Sequence, residues 1–148
     1  MIQGVHAIIF ISALSEFDQL LEEDSKTNRM VESMRLFAFI CNSRWFIKTA
    51  MILFLNKMDI FAEKIRHTSI RTALPGYTGG CTYHEQALFI EEKFVGLARS
   101  QKDTPNVCSD KSIFVHQTCA TDTKQVQVII SATVDLTLQT HLRGMGLY

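Results

Sequence analysis

Two short polar runs carry side chains whose types and spacing suit chemistry: Asn56-Lys57-Met58-Asp59 and Thr118-Cys119-Ala120-Thr121. Each follows a stretch predicted as a strand, residues 50–55 (AMILFL) and Ile113 to Thr118. In open α/β sheets, ligands sit beyond the carboxyl ends of the strands. A carboxylate, an amide and an ammonium at one strand end, with a run of small residues at the next, therefore form a candidate binding site. Two other spacings are weaker. Cys81-x-x-His84 and His116-x-x-Cys119 suit a zinc site by separation alone, but they fall on different elements, and ordinary buried or surface side chains explain them better. No metal site is expected.

The elements that must position these runs follow from the hydrophobic pattern. Residues 7–13 (AIIFISA) are an apolar run suited to a strand buried on both faces. The acidic stretch Ser15 to Lys26 holds Glu16, Asp18, Glu22, Glu23 and Asp24, a solvated loop or a helix start. After Asn28, the residues Met30, Val31, Met34, Phe37, Ala38 and Cys41 recur with helical spacing. Phe37, Phe39 and Trp45 are expected to pack in the core or between helix and sheet. A short helix is expected near Ala62 to Arg66, then a loop at Pro75-Gly76-Tyr77-Thr78-Gly79-Gly80. Thr82-Tyr83-His84-Glu85 is a capping-box signature opening a helix with a stripe at Ala87, Ile90, Phe94 and Leu97. Residues 101–111 form a polar connection. Asp122 or Thr123 can cap a last helix with Val126, Ile129, Ile130, Val134, Leu138 and Leu142 on its apolar side. Strands alternating with helices predict a parallel sheet joined by right-handed crossovers.

Composition narrows the classes. The 148 residues carry 15 basic and 15 acidic side chains, so bulk charge offers no argument for nucleic-acid or anionic-membrane binding. The uninterrupted apolar stretches, Ala50 to Leu55 among the longest, fall far short of the roughly 20 residues of a membrane helix. No transmembrane segment is expected. Ala7 to Leu14 lacks a basic flank and a clean cleavage site, so it is not expected to act as a signal peptide. The four cysteines, Cys41, Cys81, Cys108 and Cys119, form no CxxC pair and suggest reduced thiols.

An N-K-x-D at one strand end with T-C-A-T at a later one resembles the guanine-recognition motifs of regulatory GTPases. On that resemblance, Asp59 accepts hydrogen bonds from guanine N1–H and the 2-amino group. Adenine would leave the carboxylate unpaired, which is costly and discriminates. The stem of Lys57 lies over the base, Asn56 bridges the two loops, and the N–H of Ala120, between Cys119 and Thr121, donates to guanine O6. Longer runs carry the resemblance further: AIIFISALSEFDQLLEEDSKTNRMVESMRLFAFICNSRWF, ILFLNKMDIFAEKI, PGYTGG, TCATDTKQVQ and HLRGMGLY. Over His6 to Tyr148 the chain is similar to the C-terminal part of a heterotrimeric G-protein alpha subunit, and its ending is most similar to the inhibitory/other class.

The resemblance implies a partial Ras-like P-loop GTPase fold, with residues 1–148 forming the second half of the Ras-like domain. It implies guanine-nucleotide (GTP/GDP) binding and a role in G-protein-coupled receptor signalling. Ser15 to Asn28 corresponds to the third switch region. Thr123 to Tyr148 corresponds to the part that enters activated receptors, with Leu142, Arg143, Gly146, Leu147 and Tyr148 at its end. A beta-gamma dimer and an effector are partners by resemblance only, and the implied location is the cytoplasm or the cytoplasmic face of the plasma membrane.

The sequence departs from the family in parts that matter for catalysis. It contains no G-x-x-x-x-G-K-[ST] and no D-x-x-G-Q, so the phosphate cradle, the Mg²⁺ ligands, the catalytic arginine and the water-positioning glutamine have no counterparts. Phosphoryl transfer depends on positioning and charge stabilisation by those groups. No catalytic residue is assigned, and these residues alone are not expected to hydrolyse GTP. Base contacts offer a gross ~4–6 kcal/mol, or roughly millimolar to 0.1 mM affinity before ordering costs. Met145 replaces the class's usual cysteine, so toxin-directed ADP-ribosylation is not expected. A non-enzymatic receptor-binding module and a truncated product without independent function are the alternatives. In the family further strands flank residues 7–13, whose apolar edge would otherwise be an aggregation hazard.

Overall fold

Residues rich in Ile and Phe favour extended backbone, and in the computed structural model Ala7–Ala13 form the first strand, β1. The structure describes residues 7–46, 49–100 and 112–119. Two further strands, β2 (Ala50–Asn56) and β3 (Ile113–Gln117), complete a parallel sheet in the order β1-β2-β3. Ala7 stands beside Ala50, and Met51 stands beside both Ile8 and Ile113. Helix α1 (Arg29–Cys41) joins β1 to β2. Helices α2 (Met58–Lys64) and α3 (Tyr83–Arg99) lie between β2 and β3. The expected strand–helix alternation holds through β3. The expected last helix, with the connection 101–111, lies outside the described residues.

Local chemistry sets the helix starts. Asn28 caps α1 by accepting from the N–H groups of Met30 (2.8 Å) and Val31 (3.1 Å), while its own amide donates to the Phe17 carbonyl at 2.7 Å. Thr82 caps α3 by accepting from the Glu85 N–H at 3.2 Å. The Glu85 carboxylate takes the Thr82 hydroxyl and, rather than returning to the Thr82 N–H, the N–H of Gly80 at 2.7 Å. Both bonds hold its carboxyl below the usual carboxylate range, the Gly80 bond most. Before it, Tyr77 packs so closely that a Cβ on Gly79 would meet its hydroxyl at 2.6 Å and its ring at 2.8 Å, so only glycine fits there.

Residues paired across a parallel sheet point to the same side. Ile8, Phe10, Met51, Leu53, Leu55, Ile113 and Val115 belong to the core cluster together with α1 and α3. Phe37 sits at its centre, edge-on to Phe10 (5.3 Å between centroids) and to Phe94 (5.9 Å). The α3 stripe runs through Ala87, Ile90, Phe94 and Ala98, with the expected Leu97 only half-buried.

Four expectations are corrected. The strand of residues 7–13, expected to be buried on both faces, leaves Ile9 42% and Ile11 63% exposed, because β1 lies at the edge of the described sheet. Phe39 is 74% exposed because it lies two residues from Phe37, about 200° around the helix and so on its far side. Trp45 is 61% exposed, in the single turn Arg44–Phe46 that follows α1. The short helix expected near Ala62 begins at Met58, directly from the end of β2.

The acidic stretch is more than a solvated loop. Leu14, Ser15 and Phe17 are buried, and Leu14–Glu16 make one 3₁₀ turn. Further on, Asp24 accepts from the N–H groups of Lys26 and Thr27 and from the Thr27 hydroxyl, closing a tight loop. Arg29 lies within 3.5 Å of Glu16 and 3.7 Å of Glu22.

Candidate functional site

The carboxyl ends of β2 and β3 are neighbours and are tied together by backbone and side chain. The N–H of Thr118 donates to the Leu55 carbonyl (2.9 Å), and the Thr118 carbonyl accepts from the Met58 N–H (3.1 Å). The Thr118 hydroxyl donates to Asn56 Oδ1 at 3.1 Å. The two polar runs singled out from the sequence thus meet along one seam, spanned by the Asn56–Thr118 bond. Its partner, Thr118, is buried.

Lys57 makes the turn from strand to helix in one residue, with φ 56° and ψ 41°. This left-handed conformation disfavours a side chain with a Cβ and costs about 1 kcal/mol or more. It places Lys57 at the N-cap of α2, where the Phe61 N–H donates to its carbonyl at 3.0 Å.

Asp59, in the first turn of α2, is exposed. Its carboxyl is held below the ordinary carboxylate value, first by a hydrogen bond from the Cys119 thiol, then by the Ile60 N–H, with Lys57 adding a smaller attraction. It is therefore ionised at neutral pH. A carboxylate has about four acceptor positions, and this exposed one keeps room for further donors beside Cys119 and the Ile60 N–H. What the seam offers is an ionised acceptor pair open to solvent, a lysine stem alongside, and a rigid bridge underneath.

Of the residues singled out, Asn56, Lys57, Asp59 and Cys119 are brought together. Ala120 and Thr121, and the tail residues Leu142, Arg143, Gly146, Leu147 and Tyr148, lie outside the described residues. Two supporting side chains carried no mark in the sequence beyond ordinary helix positions. Tyr83, at the start of α3, donates to Gln117 Oε1 at the end of β3 and packs edge-on against Phe61 of α2 at 5.6 Å. Burial pushes its phenol up, so it remains a neutral donor. Lys64, at the far end of α2, donates to the Ser15 carbonyl at 2.7 Å and to Asp18 at 2.6 Å. Thr118 had a signal, the first letter of T-C-A-T, but its hydroxyl contact depends on strand adjacency.

Among the described residues, no group of three or more His, Cys, Asp and Glu is placed to hold a metal ion. Cys41, Cys81 and Cys119 are not joined in disulfides. No described helix is long and apolar enough to cross a membrane.

Comparison with known proteins gives one answer. The family model described as G-protein alpha subunit matches residues 1–137. The guanine nucleotide-binding protein alpha-3 subunit of Caenorhabditis briggsae is 58% identical over 146 residues, covering 99% of this chain and 39% of that protein. The alpha-17 subunit of Caenorhabditis elegans is 52% identical over 145 residues, covering 97% of this chain and 38% of that protein. The G(o) subunit alpha of Lymnaea stagnalis is 46% identical over 146 residues, covering 99% of this chain and 39% of that protein. The chain thus spans about two fifths of the length of the relatives it matches. With nearly its whole length matched in this way, the chain belongs to the G-protein alpha subunit family.

Proposed function

We propose that residues 1–148 are the second half of a Ras-like domain and that the β2–β3 seam reads the guanine base of GTP or GDP. The observation that carries this reading is the seam itself: Asn56 locked to Thr118 at 3.1 Å, beside an exposed, ionised Asp59. Guanine offers two adjacent N–H donors to that carboxylate, whereas adenine offers one acceptor. Asn56, Lys57 and Asp59 provide the bridge, the ring cover and the acceptor, and Cys119, Ala120 and Thr121 complete the second loop. Family membership supports the reading, since the similar proteins are named as guanine nucleotide-binding.

Phosphate binding, Mg²⁺ and GTP hydrolysis belong to groups that these residues do not include. The 148-residue chain is therefore a base reader of low affinity. Titration calorimetry with GDP is expected to give a Kd of roughly 0.1 mM to millimolar, with ADP weaker and Asp59→Asn abolishing the preference. A sub-micromolar Kd, or no preference for GDP over ADP, would overturn it.

Signalling from seven-helix receptors, in the manner of the inhibitory/other class, is the cellular role that fits family membership and the ending Leu142-Arg143-Gly144-Met145-Gly146-Leu147-Tyr148. The chain would then work at the cytoplasmic face of the plasma membrane through its partners, a receptor first and a beta-gamma dimer or effector by family. Stabilisation of an active receptor by a peptide of residues 124–148 is the expected result, and a null result removes receptor docking.

A further inference from the structure

Two helices and the end of a strand meet at one ring. Tyr83 is the first residue of α3, and its phenol donates to Gln117 Oε1, on the last residue of β3, at 2.5 Å. The same ring stands edge-on to Phe61 of α2, with 5.6 Å between centroids and 66° between planes. Tyr83 thus touches both elements that carry the seam: α2, which bears Asp59, and β3, which runs directly into Thr118 and Cys119.

The platform behind Tyr83 is tightly held. Gln86, fully buried in the first turns of α3, accepts from the Ile70 N–H (3.0 Å) and donates to the Cys81 and Thr82 carbonyls (3.0 and 3.4 Å). One side chain therefore joins the Ile70–Thr72 turn, the loop before α3 and the helix itself. A buried amide that lost a partner would bear its desolvation cost, which keeps these bonds made. With Thr82 also tied to Glu85, the start of α3 presents the Tyr83 hydroxyl at a fixed point.

That point matters for the direction in which the chain leaves β3. The Thr118 backbone bonds to Leu55 and Met58 fix the exit on the β2 side. Gln117, which stands beside Leu55 in the sheet, is the residue just before, and Tyr83 fixes it from the α3 side. Two residues beyond Gln117 lies Cys119, whose thiol donates to the Asp59 carboxylate. A small swing at the strand end is carried straight into that contact.

We propose that Tyr83 is a positioning residue for base recognition: through Gln117 it sets the exit of β3, and with it the place of Cys119 beside Asp59. The proposal rests on the base-reading function stated above. Tyr83 acts through Gln117 rather than on the nucleotide.

The test uses the full 148-residue chain with GDP and ADP. Nuclear magnetic resonance of the Asn56–Asp59 and Thr118 amides gives the dissociation constants, and the Asp59 carboxyl carbon gives its titration. Tyr83→Phe keeps the ring against Phe61 and removes only the donor. It is expected to weaken GDP binding about threefold or more. It should also move the Asp59 titration up toward the ordinary carboxylate value, because a displaced thiol no longer stabilises the charge. Gln117→Met removes the acceptor at similar length and should do the same. The double variant should do no worse than either single one, since all three break the same bond. An unchanged GDP affinity in Tyr83→Phe would overturn the positioning role alone. So would losses that multiply in the double variant, or a loss with the Asp59 titration unmoved, which marks general loosening. No preference for GDP over ADP in the native chain would overturn base reading, and the positioning role with it.

Discussion

The two faces of the sheet differ in how their burial is distributed. On the face carrying Ile8, Phe10, Met51, Leu53 and Leu55, apolar side chains from all three strands join one cluster under α1 and α3. On the opposite face, Ile52 and Phe54 of β2 are 0% and 2% exposed, but their β1 neighbours Ile9 and Ile11 are 42% and 63% exposed. One strand, with one repeating alternation, therefore points one set of residues into the core and the other toward water. The difference teaches that periodicity assigns a residue to a face, while lateral position in the sheet sets how much of it is covered.

Substitutions can break or sharpen this contrast. The largest effect is expected at the centre of the first face. Phe37→Ala removes the ring shared by Phe10 and Phe94 and should cost about 3–5 kcal/mol in denaturant unfolding; a loss below about 1 kcal/mol would show that this face is not the principal core. A matched pair tests the gradient on the second face. Ile52→Val should cost about 0.5–1.5 kcal/mol, whereas Ile11→Val should fall within about 0.5 kcal/mol of zero. Equal losses at the two positions would erase the gradient.

The smallest effect lies off both faces, at Asp24, whose carboxyl is held at about 2, chiefly by the Thr27 hydroxyl and then by the Thr27 and Lys26 N–H groups. A depressed carboxylate contributes stability above its unfolded pKa and loses it as the pH falls through the folded one. The Asp24 loop should therefore stay closed at neutral pH and down to about pH 4. It should open as the pH approaches 2, read from the amide shifts of Lys26 and Thr27, while Phe37 and Phe94 retain their environment. Opening already near pH 5 would contradict these bonds.

Most of the fold was legible from the sequence because it depends on local signals. Apolar runs marked the three strands, Asn28 and Thr82 marked helix starts, and the N-K-x-D and T-C-A-T runs marked the strand ends that meet. What escaped depended on contacts between distant segments. Phe39 and Trp45 belong to a cluster of aromatic letters that geometry divides, since helix rotation turns Phe39 away from Phe37. The acidic stretch looked solvated because its charges outnumber its anchors, yet buried Phe17 and the reach of Lys64 across 46 positions fix its first half. Tyr83 and Thr118 support the site through partners 34 and 62 residues away. No pattern within a single segment encodes such partners.

The one-residue turn at Lys57 has an entropic consequence. Most binding loops surrender conformational freedom when a ligand arrives, and that loss subtracts from the contact energy. Here strand becomes helix with no intervening slack, so Asn56, Lys57 and Asp59 ride on backbone already ordered by β2 and α2. The ordering was completed when the chain folded, at the expense of a strained φ at a lysine. A flat base of the kind proposed for this seam would find little left to freeze beyond the Lys57 and Asp59 side chains, so a handful of contacts could discriminate even at small total affinity.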